Sequence, residues 1–282
     1  MAAVSSILVA SRWGARRERF RHRLRILLVI AGSEFKLKYA GSVFGYAWSV
    51  AKPLALFTVL YLVFARIFKL GAISDYYAVS LLTGIVLFGF FADATSLGMT
   101  SLVARESLLR KLVFPSIVIP MAATITAGLT FLVNAVVVAG FVAWEGVAPR
   151  LDWLLLIPLL VELYAFTLGV ALVLSALFVR FRDLGQVWEL GTQLLFYATP
   201  IIYPIGFLPP FARDLVFLNP FTQVLQDIRA LVLYPDLPAN TITASEAFET
   251  FGRLVPITIA GATFLVGLWL FRRDEPWFAE RV

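Results

Sequence analysis

Apolar stretches about twenty residues long recur along almost the whole chain, separated by short polar or charged segments, and this recurrence restricts the fold more than any other feature. A helix needs about twenty residues to cross the ~30 Å hydrocarbon core of a bilayer. In lipid, a helix also pairs its own backbone groups, which an open strand edge cannot do. The runs place spans at about Trp48–Phe68, Tyr77–Gly98, Phe114–Ala143, Trp153–Val179, Leu184–Tyr203 and Leu254–Phe271. The expected fold class is therefore an all-α integral membrane protein with six transmembrane helices. Hydrophobic residues make up 60% of the 282 and charged residues 15%, against about half and about a quarter in a soluble domain. That leaves no room for a separate soluble unit. The expected organisation is one transmembrane domain over 1–282. It has a cytoplasmic basic arm and interfacial helix at 1–47, a six-helix bundle at 48–271 and a cytoplasmic tail at 272–282.

The net charge of +6 points to lipid rather than nucleic acid, because the basic residues sit in the loops and N-terminus and not over a folded face. Residues 12–25, RWGARRERFRHRLR, form an arm suited to anionic headgroups. Only Ile26–Ala31 follows before Gly-Ser-Glu, so a cleaved signal peptide is not expected. Lys and Arg concentrate in 1–47, 99–113, 180–183 and 272–282, which places both termini in the cytoplasm, with Arg66 and Lys69 in minor dissent. There is no cysteine, which excludes disulfides and thiolate metal sites.

Three segments between or before the spans have their own character. Ser33–Leu54 reads as an interfacial amphipathic helix, with Lys36 and Lys38 reaching for headgroups and Phe35, Tyr39 and Trp48 at the boundary. Its Gly41 and Gly45 form a weak GxxxG. Ser101–Pro120 is a charged loop of helix length. Leu102, Leu108, Leu109, Leu112 and Val113 share one arc, and Glu106, Ser107, Arg110 and Lys111 share the other. Arg105 intrudes on the apolar arc. Such a helix suits a partner's groove, but spacing alone favours a solvated connector whose charges set topology. On the outer side, Val216–Leu233 is apolar enough to touch lipid and too polar to span. It reads as a short interfacial helix after a re-entrant turn at Tyr203-Pro204 and Pro209-Pro210.

The chemistry present argues against catalysis. No GxxxxGK[ST] loop occurs, so the chain does not bind ATP in that manner. His22, the single histidine, lies in the basic arm, and no HExxH or nucleophile elbow is present. Glu162 and Asp93 fall within spans, where acids line a pathway or form a structural hydrogen bond between helices, and the two readings stand even. Along the fifth span Glu189, Thr192, Gln193, Phe196 and Thr199 share a stripe, and Phe57, Tyr61 and Phe64 share a face of the first. Rings beside amides and hydroxyls suit sugar. From spacing alone, helix packing with a lipid-facing aromatic belt is favoured.

In this order, KLKYAGSVFGYAWSVAKPL (36–54), RESLLRKLVFP (105–115), VRFRDL (179–184), YATPIIYP (197–204) and LNPF (218–221) resemble the permease subunits of ABC-2-type exporters for lipid-linked polysaccharides, the group that moves O-antigen, capsule and teichoic acid. The resemblance runs from about Ile26 to Phe271. The family often carries an Arg-Asp pair where this chain has Ser33-Glu34, which leaves local salt bridging in question.

The resemblance implies a homodimer in the bacterial cytoplasmic membrane, working with two separate ABC ATPase subunits that hold the ATP and magnesium. This chain would carry no cofactor. It also implies that Ser101–Val113 is a cytoplasmic coupling helix, with Arg105, Glu106, Leu108, Leu109, Arg110, Lys111 and Phe114 in or beside the contact. Phe181, Arg182 and Asp183 would make a second, smaller one. Lys36 and Lys38, with Tyr39, would meet the diphosphate of a polyprenyl-linked glycan. Phe57, Tyr61, Glu162, Gln193, Phe196 and Tyr197 would line its path. Two alternatives stand beside this: an ABC-2 permease for a drug or plain lipid, and a polytopic enzyme of lipid-linked sugar metabolism.

Overall fold

The computed structural model describes residues 25, 27–36, 45–72, 76–106, 109, 115–234, 242–247 and 252–281, with no strand among them. Helix α1 covers residues 27–36. Helix α2 (Ala47–Leu60) runs on as π turns over Tyr61–Ile67. Then come α3 (Tyr77–Ala104), α4 (Val118–Trp144), α5 (Leu156–Arg180, after a 3-10 turn at Leu151–Leu155) and α6 (Leu184–Ala198). Helices α7 (Pro210–Phe217) and α8 (Pro220–Val232) precede a single turn at Ala244–Ala247 and the last helix, α9 (Leu254–Arg281).

Among the described residues five segments are long and apolar enough to cross a membrane: Ala47–Ile67, Tyr77–Ala104, Val118–Trp144, Leu151–Arg180 and Leu254–Phe278. The expected fifth span, Leu184–Tyr203, is a shorter object. Its helix ends at Ala198 after 15 residues, about 22 Å of rise against ~30 Å of hydrocarbon. Thr199 is extended and Pro200 follows, so the chain turns back there. Glu189, Gln186 and Gln193 also lower its apolar character. The other spans match the hydropathy reading closely. Helix α9 continues past Phe271 to Arg281, burying Phe278.

Helix α3 is the axis of the bundle. It is buried over most of its length, whereas the other spans leave most of their surface exposed. It packs on α4, α5, α6 and α8, and α5 packs along α9. Small residues permit the closest crossings. A Cβ on Gly98 would come within 2.8 Å of Ala171 Cβ, and one on Gly267 within 2.3 Å of the Gly169 carbonyl oxygen. Span hydroxyls turn back on their own helices: Thr83, Thr95 and Thr263 donate to the carbonyls four residues earlier at 2.7–2.8 Å. That satisfies them without water.

Among the described residues three apolar cores result, the smallest around Ile205, Phe217 and Ala244. One gathers α2, α3, α4, α5 and α8, and the second gathers Leu102, Ile119, Leu172, Val179, Phe271 and Phe278 at the end that the charge rule assigns to the cytoplasm. Helix α1 lies against α4, where Thr126 Oγ1 is 3.3 Å from the Ala31 carbonyl. Gly45, at φ +49°, turns the chain into α2, so this glycine serves a left-handed turn and not a helix crossing. Asn134 Nδ2 donates to Ser49 O at 3.1 Å. Asn134 stands 16 residues into α4, so α2 begins about 24 Å along it. Trp48 and Lys52 therefore sit at membrane depth, not at the cytoplasmic boundary.

The outer segment also differs from its expected position. Short helices are present, but α8 does not lie on lipid. Residues 221–229 are all buried against α3, α5, α7 and α9.

Candidate functional site

A half-open cavity of about 850 Å³ is walled by α2, α3, α4 and α6. From α2 come Trp48, Ser49 and Lys52, from α3 Phe88 and Asp93, from α4 Thr130 and Asn134, and from α6 Thr192, Gln193, Phe196 and Tyr197. The walls are held in place by groups behind them. Asn134 is fixed by Ser49 O and by Thr130 O at 3.0 Å. Trp188 Nε1 ties α6 to α3 by donating to Thr95 Oγ1 at 3.1 Å. Phe196 meets Phe88 edge-on with centroids 5.3 Å apart. A volume of this size holds several sugar rings or an equivalent ligand. Its aromatic faces, amides and hydroxyls offer stacking together with hydrogen bonds.

The residues expected on a path divide. Gln193, Phe196 and Tyr197 line the cavity. Phe57 is buried outside its walls, stacked on Tyr61 at 5.6 Å and edge-on to Phe141 at 5.8 Å. Glu162 is also elsewhere, beside Gln223 and Asp227.

That second location is a polar lock around α8. The LNPF motif starts the helix: the Asn219 side chain caps Phe221 N at 3.0 Å, and Pro220 at the first position needs no donor. Gln223 Nε2 donates to Asp227 Oδ2 at 2.6 Å, and Arg253 closes the other oxygen at 3.0 Å. Burial raises the Asp227 carboxyl, while Gln223 and Arg253 pull it back. Arg229, fully enclosed, donates to Pro200 O (2.7 Å), Ile201 O (3.0 Å) and Ser80 O (3.0 Å). Tyr77 Oη donates to Ile202 O at 2.8 Å. The YATPIIYP motif thus ends α6 and exposes a row of carbonyls, which α8 and α3 then satisfy. Burial pushes the Arg229 guanidinium down to about 10, still a cation at neutral pH. Gly84 makes room, since a Cβ there would meet Ile201 Cγ2 at 2.9 Å and Arg229 Nη2 at 3.1 Å. In the sequence Arg229 is one of the polar residues that keep this segment from spanning, with no further role assigned to it. Its signals were the helix start at Asn219-Pro220 and the polar spacing of Gln223, Gln226 and Asp227.

At the inner end, Arg105 forms an ion pair with Glu34, and Thr126 Oγ1 lies 3.3 Å from the other Glu34 oxygen. The Glu34 position therefore does form a salt bridge, across to the end of α3. Burial lowers the Arg105 guanidinium. Glu106 is exposed, and Leu109 packs on the inner core. Ser116 donates both N–H and Oγ–H to Glu275 Oε1, at 3.0 and 2.8 Å. Phe181, Arg182 and Asp183 are exposed between α5 and α6, and Lys36 is exposed on α1. Lys38, Tyr39, Leu108, Arg110, Lys111 and Phe114 lie outside the described residues. Among the described residues, no three acidic or histidine side chains gather as metal ligands.

Residues 26–233 match the ABC-2 type transporter family. Two O-antigen export system permease proteins RfbA from Klebsiella pneumoniae are 32% and 33% identical over 209 residues, covering 74% of this chain and 80% of theirs. The O-antigen export system permease protein RfbA of Myxococcus xanthus is 26% identical over 274 residues, covering 94% of this chain and 98% of its own.

Proposed function

The chain belongs to the ABC-2 type transporter family, and from that premise we propose that it is the permease subunit of an ATP-driven polysaccharide exporter. Its cargo is a glycan on a polyprenyl diphosphate, moved across the bacterial cytoplasmic membrane. The observation that carries this reading is the half-open cavity, with rings, amides and hydroxyls presented at membrane depth. The likeness to permeases named for O-antigen export supports the cargo class. In the working assembly two copies of the chain join two separate ATPase subunits, which bind the ATP and magnesium. Both termini are cytoplasmic, and α6 together with the turn after it serves as the sixth crossing.

Residues 101–113 and Phe181-Arg182-Asp183 are the ATPase contacts in this reading. The first begins in the last turn of α3 and the second follows α5, and these neighbouring helices share the core containing Leu102 and Val179. Lys36 and Lys38, with Tyr39, bind the diphosphate as point charges at the inner surface. Closure of the ATPases on ATP shifts the bundle only if they contact its two states differently. The Glu34–Arg105 pair gives such a shift a route from the coupling segment to α1.

The test is a mild-detergent pull-down of the tagged chain from its own host, with a single cysteine at Glu106 for cross-linking. A chain without native cysteine gives no background. An ATPase bearing a phosphate loop, recovered one-to-one and cross-linked through position 106, is expected. A chain that elutes folded and alone, with no ATPase in reach, sinks the reading and restores the enzyme alternative.

A further inference from the structure

We propose that the polymer taken by this cavity is built from sugar units without net negative charge, so that the diphosphate at its lipid end is its anionic group. This rests on the cavity being the glycan path. Two observations point the same way.

The first is the wall. Among the described residues its charged lining side chains are Lys52 and Asp93, one of each sign, and the others are neutral. A second copy of the chain doubles that set without changing its balance. A polyanion crossing a low-dielectric region needs a succession of cations, as anion and phosphate pores provide with rings of Arg or Lys. One lysine per protomer suits a single diphosphate passing once. It does not suit a charge on every repeat. What the walls supply in number is aromatic face, amide and hydroxyl, the groups that hold uncharged sugars.

The second is the outer segment that the polymer meets on leaving. Residues 204–253 contain three arginines and five acids. Each arginine is already bonded to other groups of this chain. Arg213 donates to Leu208 O at 2.7 Å and Gly206 O at 2.8 Å. Arg229 holds Pro200, Ile201 and Ser80 carbonyls, and Arg253 pairs with Asp227. Arg66 and Lys69, at the outer end of α2, are outside the cavity walls. The exit therefore offers a polyanion no arginine of this segment that is not already bonded within the chain, while the carboxylate of Asp214 is exposed there.

The test uses cells deleted for their own glycan exporter and supplied with this chain and its ATPase subunit. One strain makes galactan on polyprenyl diphosphate, and the other makes poly(glycerol phosphate) on the same lipid. Antibody labelling of intact against lysed cells gives the exported fraction. Galactan is expected to exceed poly(glycerol phosphate) by about tenfold or more, the ratio set by 1.4 kcal/mol of discrimination. Equal or better export of poly(glycerol phosphate) overturns the proposal and leaves the exporter reading standing. If neither polymer reaches the surface from an assembled complex, the glycan-path reading falls and this proposal with it. Gln193→Lys, at an exposed wall position, is expected to raise the poly(glycerol phosphate) to galactan ratio. An unchanged ratio overturns the assignment of selectivity to this cavity.

Discussion

The α8 lock and the α2–α6 cavity draw on the same residue types, and burial separates them. Around α8 an arginine, an aspartate and a glutamine are enclosed, and they answer one another or a row of freed carbonyls. In the cavity, Lys52 and Gln193 keep exposed surface. Phe88 stands between the two regions, edge-on to Phe196 on one side and to Phe221 on the other at 5.4 Å. Polar groups in a bundle are costly unless satisfied. Where the protein satisfies them itself, they hold the fold. Where it leaves them to an aqueous cavity, they remain available to a ligand.

The comparison breaks most readily at Arg229. Arg229→Met leaves three buried carbonyls without their charged donor, and the expected loss of stability is about 3–5 kcal/mol. Thermal unfolding of the purified chain in detergent measures it. A variant with the parent's Tm removes the lock from the account. Gly84→Val tests the same place by crowding, because the added Cβ meets Ile201 at 2.9 Å. A loss of about 1–3 kcal/mol is expected in the same assay. Asn219→Ala removes the cap on α8 and is expected to cost about 1 kcal/mol. Its sharper reading is local, as faster amide exchange over 221–223 with the spans unchanged.

Much of the frame was legible from the chain alone. Hydropathy placed five spans to within a few residues at most ends, because twenty apolar residues in lipid have one backbone solution. LNPF could be read as a helix start for local reasons of capping. What was not legible depends on partners far away in the chain. Arg229 is 149 residues from Ser80, and no periodicity announces that pairing. The same distance in sequence hid the burial of α8: its polar spacing looked interfacial, and only the carbonyls freed after α6 explain why it goes inside. Glu34 likewise answers Arg105 across a fold the sequence does not display. The cavity was half visible. The stripe on α6 contributed Gln193 and Phe196, but the opposite wall came from Trp48, expected at the membrane boundary, and from Lys52.

The smallest stability effect, and the one that sharpens the contrast, is expected at Gln193. The side chain is exposed on the cavity wall, and no hydrogen bond of the lock depends on it. Gln193→Ala is therefore expected to change unfolding by less than about 0.5 kcal/mol, as ordinary exposed substitutions do. It removes an amide that bonds sugar hydroxyls, so glycan export should fall while the ATPase subunits still co-purify. A drop in export with an unchanged Tm separates a ligand-facing amide from a structural one. A drop in both in proportion places Gln193 with the lock residues, and an unchanged export rate takes it off the path.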